Sequence, residues 1–207
     1  MYFHACNIHL FFSYPILMSS IENLMKDLPT HMLYPADIFV EKAPHVVSTV
    51  LGSCVSVCLY DPVMQIGAIN HFILPQWNGQ DLSTMKYGNL SIIRILEEIL
   101  DCGCKYENIQ AKVFGGAEVL TGTPTKFHIG RRNAKIATEI LAEFKIPIVM
   151  LSIGGDRGRK IIFNTHTGDV NCNFIRRVNT NEGKDTVNNV TLKRFFKRKT
   201  AQLDILN

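Results

Sequence analysis

The sequence predicts an α+β domain in which β-strands outnumber helices. Apolar and polar residues alternate over 55–60, and a second apolar run at 67–74 returns after a turn signal, which together predict a β-hairpin. Two longer segments, 90–101 and 133–144, carry apolar residues at helical spacing instead. With 207 residues, 46% of them hydrophobic and 19% charged, the chain can bury a sizeable core without disulfides.

The predicted strands follow one another along most of the chain. In the strand at 55–60, three apolar residues alternate with Ser56, Cys58 and Tyr60, which is the pattern of a half-buried strand. The dipeptide Asp61-Pro62 begins the turn that follows it. Other apolar runs, bounded by glycine, proline or polar residues, predict strands at 46–50, 111–114, 148–153, 160–164 and 168–173.

Two amphipathic helices complete the predicted domain. The first follows a loop at 76–87 and ends at Gly103, a residue suited to the left-handed conformation that terminates helices. Its apolar stripe consists of Ile92, Ile93, Leu96, Ile99 and Leu100. The second helix turns a similar stripe inward, made of Ile136, Ile140, Leu141 and Phe144.

The two ends of the chain differ from this domain, which we place at residues 31–177. Residues 1–30 form an N-terminal extension in which Met18 or Met25 is an alternative start. Its apolar run at 8–18 follows no Lys or Arg, is interrupted by proline and is too short to span a bilayer, so we expect no membrane insertion. Residues 178–207 form a basic tail that we expect to be poorly ordered and solvated rather than a nucleic-acid site.

Cysteine and glycine patterns exclude several kinds of site. The six cysteines show no disulfide framework, and the one close pair, Cys102 and Cys104, lacks the second Cys/His pair of a zinc site. We therefore expect free thiols in a reducing cytosol and no metal. The glycine-rich turn at 154–159 lacks the lysine and Ser/Thr of a phosphate-binding loop, so we interpret it as a strand connection with exposed arginines.

Cys54 and His71 are the residues that indicate chemistry. Cys54 follows a tight Gly-Ser turn at the start of one hairpin strand, and His71 lies on the other. If Tyr60 pairs with Gly67, Cys54 lies opposite residue 73 and His71 opposite residue 56. Both side chains then share one face as diagonal neighbours, about 7–8 Å apart at Cβ. A register shift of one residue would place them on opposite faces.

This placement suits a cysteine nucleophile with a histidine base. Gly52 allows a tight turn and close approach of a substrate, and backbone N–H groups at Ser53 and Cys54 can hold an oxyanion. A histidine and those N–H groups can also stabilise the thiolate, which an ordinary cysteine forms only slightly at neutral pH. The structural alternative is a small buried cysteine and a hydrogen-bonded core histidine.

Five sequence blocks in order resemble the CheD family, the chemoreceptor glutamine deamidases of bacterial and archaeal chemotaxis. The resemblance extends from about residue 36 to 173. The blocks are T-V-L-G-S-C-V-S-V-C-L-Y-D-P, G-A-I-N-H-F-I-L-P, K-V-F-G-G-A, I-G-R-R-N and G-G-D-R-G-R-K-I-I-F-N-T-H-T-G. It implies a mixed β-sandwich with peripheral helices, similar to certain toxin deamidases.

The resemblance also implies a function and its residues. Cys54 matches the family nucleophile and His71 its base, while the third, orienting residue matches Thr49 by residue type and Ser48 by spacing. The implied reaction is hydrolysis of receptor glutamine side chains to glutamate in the cytoplasm, through a thioester and without a cofactor. The implied partners are methyl-accepting receptors and a CheC-type phosphatase. A non-catalytic adaptor and a cysteine transamidase or peptidase are the alternatives.

Overall fold

The computed structural model describes residues 28–79, 82, 84–119 and 128–175. Most of the predicted N-terminal extension and all of the predicted basic tail lie outside these ranges, so the domain boundaries remain predictions. Over the described residues no helix is long and apolar enough to cross a bilayer.

The described chain forms two mixed β-sheets and two α-helices, which confirms the predicted α+β class. The four-stranded sheet has the order β1-β3-β8-β9 and the five-stranded sheet the order β2-β5-β4-β6-β7. Pairs β1–β3 and β6–β7 are parallel and the other pairs antiparallel. The strands are β1 (Thr30–Met32), β2 (Ile38–Val40), β3 (Val46–Leu51), β4 (Val55–Asp61), β5 (Ile66–Asn70), β6 (Gln110–Gly115), β7 (Ile148–Ile153), β8 (Arg159–Asn164) and β9 (Val170–Phe174), and the helices are α1 (Gly88–Asp101) and α2 (Ile129–Glu143).

The sheets and helices pack as three layers with two apolar cores. One core lies between the two sheets and consists of Leu33, Phe39, Val47, Leu51, Cys58, Ile69, Phe114, Ile161 and Phe163. The other lies between the five-stranded sheet and both helices, and includes Val55, Val57, Leu59, Ile95, Ile99, Ala137 and Leu141. The five-stranded sheet is therefore covered on both faces by apolar side chains.

The interpretation of β4 as a half-buried strand was wrong, because β4 lies in the middle layer. Its apolar face contacts the helices, and Ser56 and Cys58 on its other face are buried by the four-stranded sheet. Ser56 is accommodated there because its hydroxyl donates to the carbonyl of Asn70, at an oxygen–oxygen distance of 2.6 Å.

Other differences arise where the local pattern is short or unusual. Strands β1 and β2, of three residues each, were not predicted, because so few residues carry no measurable periodicity. Helix α2 begins at Ile129, four residues earlier than predicted. In the structure Gly130 allows close packing: a Cβ there would lie 2.6 Å from the carbonyl oxygen of Gly116.

Candidate active site at the open end of the β4–β5 hairpin

The β4–β5 hairpin has the predicted register. Tyr60 pairs with Gly67, and a separate bridge at the other end joins Val55 to Phe72 through two N–O contacts of 3.1 and 3.0 Å. The register therefore persists up to the residues next to Cys54 and His71. Both side chains lie on the face that meets the four-stranded sheet, where Cys54 packs against the inter-sheet core.

His71 is held from the opposite sheet by Thr49. The two residues are 2% and 1% exposed, and Thr49 Oγ1 lies 2.8 Å from His71 Nδ1. The same hydroxyl lies 2.8 Å from the carbonyl oxygen of Leu33, which can only accept a hydrogen bond. Thr49 therefore donates to Leu33 and accepts from Nδ1–H of His71. These two hydrogen bonds together assign the ring proton to Nδ1, so that Nε2 carries the free lone pair.

The other ring nitrogen of His71, Nε2, is buried. It makes no hydrogen bond within the described part of the chain, so none joins it to the sulfur of Cys54. Burial lowers the pKa of His71 to about 4, and the nearby carbonyl of Leu33 opposes this shift only partly. The ring is therefore neutral at pH 7, with Nε2 able to accept a proton.

Of the two candidates for the third residue, only Thr49 contacts His71. Ser48 precedes it in β3 and points to the other side of the sheet, where its hydroxyl lies 3.8 Å from the sulfur of Met32. The alternation of side chains along a strand separates the two, because Thr49 faces the inter-sheet core and Ser48 does not.

Cys54 is a partly exposed free thiol, whereas Cys58 and Cys104 are buried. Burial raises the pKa of Cys54, while its own backbone N–H, directed at the sulfur, lowers it by less. The balance of these effects favours the neutral thiol, so the structure does not show the expected stabilisation of the thiolate. At neutral pH the site holds a neutral thiol and a neutral imidazole, so the thiol must give up its proton during attack.

The turn that carries Cys54 is fixed through its carbonyl groups. The N–H of Ala117 donates to the carbonyl of Gly52 at 2.9 Å, and the N–H of Gly116 donates to the carbonyl of Cys54 at 2.8 Å. The backbone N–H of Ser53 donates to no residue among those described, and that of Cys54 is directed only at its own sulfur. Neither amide is therefore bound to another residue of the described chain.

Two buried polar side chains that the sequence did not indicate as site residues support this turn. Asn133 of α2, which is fully buried, donates through Nδ2 to the carbonyls of Ser53 at 2.9 Å and Ile73 at 2.7 Å. It lies in one of the five blocks that resemble the CheD family, and this was the available signal.

The second supporting side chain is Arg159, and the expectation that the arginines of the 154–159 turn are exposed was wrong for it. Arg159 is 2% exposed and donates to the carbonyls of Gly115 at 3.3 Å and Gly154 at 2.7 Å, and to Ser152 Oγ at 3.1 Å. Gly115 adopts φ of 109° where a side chain would collide with the carbonyl of Cys54. Arg159 therefore anchors the backbone directly beside Cys54.

A cleft of about 500 Å³ lies beside the turn that holds Cys54, but neither Cys54 nor His71 lines it. Its lining includes Gly116, Glu118, Arg131 and Gly154. Among the residues that the structure describes, no three His, Cys, Asp or Glu side chains converge as metal ligands.

Comparison with known proteins gives consistent matches. A family model described as CheD chemotactic sensory transduction matches residues 73–174, a range that begins just after His71. A Trichlorobacter lovleyi protein named "Probable chemoreceptor glutamine deamidase CheD" is 45% identical over 140 residues, which cover 68% of this chain and 87% of the relative. A protein of the same name from Sulfurimonas denitrificans is 40% identical over 151 residues, covering 70% and 94%. A third, from Geobacter sulfurreducens and named "Probable chemoreceptor glutamine deamidase CheD 2", is 39% identical over 155 residues, covering 75% and 94%.

Proposed function

This chain belongs to the CheD family, and we propose that it hydrolyses glutamine side chains of methyl-accepting chemotaxis receptors to glutamate. The names of its relatives support the activity and the substrate class. The observation that carries the mechanism is that a partly exposed thiol, Cys54, and a buried histidine, His71, lie on the same face of the hairpin. The proton of that histidine is held on Nδ1 by Thr49.

The first half of the proposed reaction forms a thioester. The sulfur of Cys54 attacks the side-chain carbonyl carbon of the glutamine, and the thiol proton passes to Nε2 of His71. The backbone N–H groups of Ser53 and Cys54 stabilise the oxyanion. When the oxyanion collapses, the C–N bond breaks and the imidazolium gives its proton to the departing nitrogen, which leaves as ammonia.

The second half releases glutamate. His71, neutral again, takes a proton from a water molecule that attacks the thioester carbon. The carbon–sulfur bond breaks, and the sulfur of Cys54 recovers the proton from His71. The sum is glutamine plus water giving glutamate plus ammonia. These steps use only side chains and backbone groups of this chain and require no cofactor.

Thr49 orients the base in this mechanism. By accepting from Nδ1–H it keeps Nε2 unprotonated between steps and stabilises the imidazolium when it forms. The Leu33 carbonyl fixes the direction of the Thr49 hydroxyl, so the three groups form a chain of hydrogen bonds that ends at the reacting nitrogen.

The proposed substrate determines where the protein acts. Receptor glutamines that become methylation sites lie in cytoplasmic domains, so we place the protein in the cytoplasm. Each conversion adds one negative charge to the receptor and changes its signalling state. A CheC-type phosphatase is the further partner that family membership suggests.

Ammonia release and mass spectrometry test the proposal. Purified protein is incubated with receptor cytoplasmic domains, and each converted glutamine gains about one dalton without any change in chain length. Cys54→Ala removes the activity, whereas Cys172→Ala, which removes another partly exposed thiol, retains it.

The alternative functions give different results in the same experiment. A non-catalytic adaptor binds receptors equally well with either variant and releases no ammonia. A transamidase produces cross-linked chains and a peptidase produces shorter ones. Full deamidation by the Cys54→Ala protein contradicts the mechanism.

A further inference from the structure

The hairpin that carries the proposed active site is paired from Cys58–Ile69 to the turn, and a separate bridge, Val55–Phe72, is its last backbone pair next to Cys54. In an antiparallel ladder hydrogen-bonded pairs alternate with non-bonded ones, and Val55–Phe72 is a hydrogen-bonded pair. The next such pair would join Ser53 to Leu74 in the same register.

The expected Ser53–Leu74 pair does not form. The N–H of Leu74 donates instead to the carbonyl of Lys86 at 2.9 Å, and the carbonyl of Leu74 accepts from the N–H of Gly88 at 2.8 Å. The strand after His71 therefore turns towards α1. Ser53 therefore lacks both hydrogen bonds that Leu74 would form with it in the ladder. Its N–H has no acceptor there, and its carbonyl has no backbone donor.

Asn133 supplies that donor. Its Nδ2 donates to the carbonyl of Ser53 and to the carbonyl of Ile73, which lies directly opposite Cys54 in the hairpin register. Only the nitrogen of a carboxamide can face two carbonyl oxygens, so the orientation of the side chain is unambiguous. Asn133 bridges the two strands at the point where backbone pairing ends.

We propose that Asn133 is a positioning residue for the deamidation. Its side chain sets the distance between the strand of Cys54 and the strand of His71 at the point where their backbones stop pairing. This inference rests on the proposed function. Ser53 adjoins Cys54, and Ile73 follows His71 by two residues, so one side chain connects the backbone next to the nucleophile with the backbone next to the base.

Only one end of the Asn133 carboxamide makes hydrogen bonds. Oδ1 is buried and has no partner among the described residues, and the same is true of Nδ2 of Asn164, so the two asparagines share this feature. What distinguishes Asn133 is that its two hydrogen bonds join the strands that carry Cys54 and His71.

The test combines kinetics with thiol labelling of the full chain. In Asn133→Ala we expect kcat to fall about 100-fold with little change in KM, because the loss is one of alignment rather than binding. We also expect iodoacetamide to label Cys54 at least about threefold faster, since a loosened turn is less buried and its thiol ionises more readily. Cys58 and Cys104 remain protected, as they are in the folded chain.

Asn164→Ala is the matched control. Asn164 is also a buried asparagine, and its Oδ1 accepts from the N–H groups of His166 and Thr167 in the β8–β9 turn. That turn contacts Tyr60, at the closed end of the hairpin. The control loses two hydrogen bonds and some stability, but its Cys54 labelling and kcat stay near those of the parent.

Each outcome separates the positioning role from a structural one. Simultaneous labelling of Cys54, Cys58 and Cys104 in both Asn133→Ala and Asn133→Asp indicates global opening and overturns the proposal. So does a folded variant with parental labelling and kcat within about threefold of the parent. Asn133→Asp provides the same test if the alanine variant does not fold. Aspartate has the same shape, but its carboxylate cannot donate hydrogen bonds to the two carbonyls.

The labelling experiment needs no substrate, so the two hypotheses fail separately. If the parent protein releases no ammonia yet Cys54 labelling accelerates only in the Asn133 variants, the proposed function is wrong, and Asn133 still holds the turn of Cys54 in place but not for deamidation. If the parent deamidates receptors and the variants match it in rate and labelling, the positioning role alone is wrong.

Discussion

Thr49 Oγ1 lies 2.8 Å from Nδ1 of His71, and this contact joins the two sheets of the domain at the candidate active site. Thr49 belongs to β3 of the four-stranded sheet, and His71 follows β5 of the five-stranded sheet. The base is therefore oriented by the packing of one sheet on the other, and this relationship determines several expected properties.

Removal of the Thr49 hydroxyl should impair catalysis more than stability. Thr49→Val keeps the shape of the side chain but deprives Nδ1–H of its acceptor, so the ring can rotate or change tautomer. We expect kcat to fall about 10- to 100-fold. Thr49→Ser should retain most of the activity, because it keeps the hydroxyl.

Ser48→Ala is the neighbouring control for the Thr49 variants. Its side chain lies on the outer side of the sheet, so receptor deamidation should remain within about twofold of the parent. A larger loss in Ser48→Ala than in Thr49→Val would contradict the assignment of Thr49 as the orienting residue.

On the acid side, kcat/KM should fall only at an unusually low pH. The neutral form of His71 is the active one, and its pKa of about 4 means that it predominates throughout the neutral and mildly acidic range. We expect kcat/KM to decline only as the pH approaches 4. Return to pH 7.5 after acid exposure checks that the enzyme has not unfolded.

On the alkaline side, burial raises the pKa of Cys54, so the thiol keeps its proton beyond the ordinary range for cysteine. That proton is the one His71 later gives to ammonia, so activity should persist until it is lost. An acid limb at pH 6.5 or above would show that His71 titrates like an ordinary histidine and would contradict its lowered pKa.

The low pKa of His71 also predicts a pH-dependent stability. The unfolded histidine binds a proton near pH 6.5, whereas the folded one does so only near pH 4. The free energy of unfolding is therefore highest above pH 6.5 and declines as the pH falls from 6.5 towards 4. The difference in pKa corresponds to about 3 kcal/mol over that window.

Urea denaturation between pH 4 and 7.5 measures this effect. His71→Asn should flatten the pH dependence between pH 6.5 and 4 relative to the parent, while the other histidines contribute equally to both proteins. Parallel curves for the two proteins would show that His71 titrates normally in the folded chain.

Arg159 is buried beside the turn of Cys54, and its hydrogen bonds should contribute to the stability of the fold. Arg159→Met removes hydrogen bonds to Ser152, Gly115 and Gly154, of which the Gly115 carbonyl keeps a second donor, the N–H of Gly154. We expect the free energy of unfolding to fall by about 2–4 kcal/mol.

Arg157→Met is the comparison for Arg159. The Arg157 guanidinium is exposed and lies 4.5 Å from the ring centre of Phe174. Its loss should cost less than about 1 kcal/mol. Equal losses in the two variants would show that the buried hydrogen bonds of Arg159 contribute little.

Local sequence patterns were sufficient for both helices, for the strands other than β1 and β2, and for the register of the hairpin. The apolar alternation in β4 and the tight turn after it made Tyr60–Gly67 the natural pair, and the structure has that register. Cys54 and His71 therefore lie on a common face, as predicted from one stretch of sequence. Both helices were predicted for a similar reason, because their apolar stripes repeat over more than two turns.

The sequence alone thus determined the α+β class, the hairpin and the shared face of Cys54 and His71, since side-chain periodicity depends only on neighbouring residues. The tertiary structure decided that Thr49 rather than Ser48 meets His71, that Arg159 is buried and that Asn133 bridges the opened strands. These contacts join residues distant in sequence. They depend on which sheet and helix pack against the hairpin, and no local pattern encodes that choice.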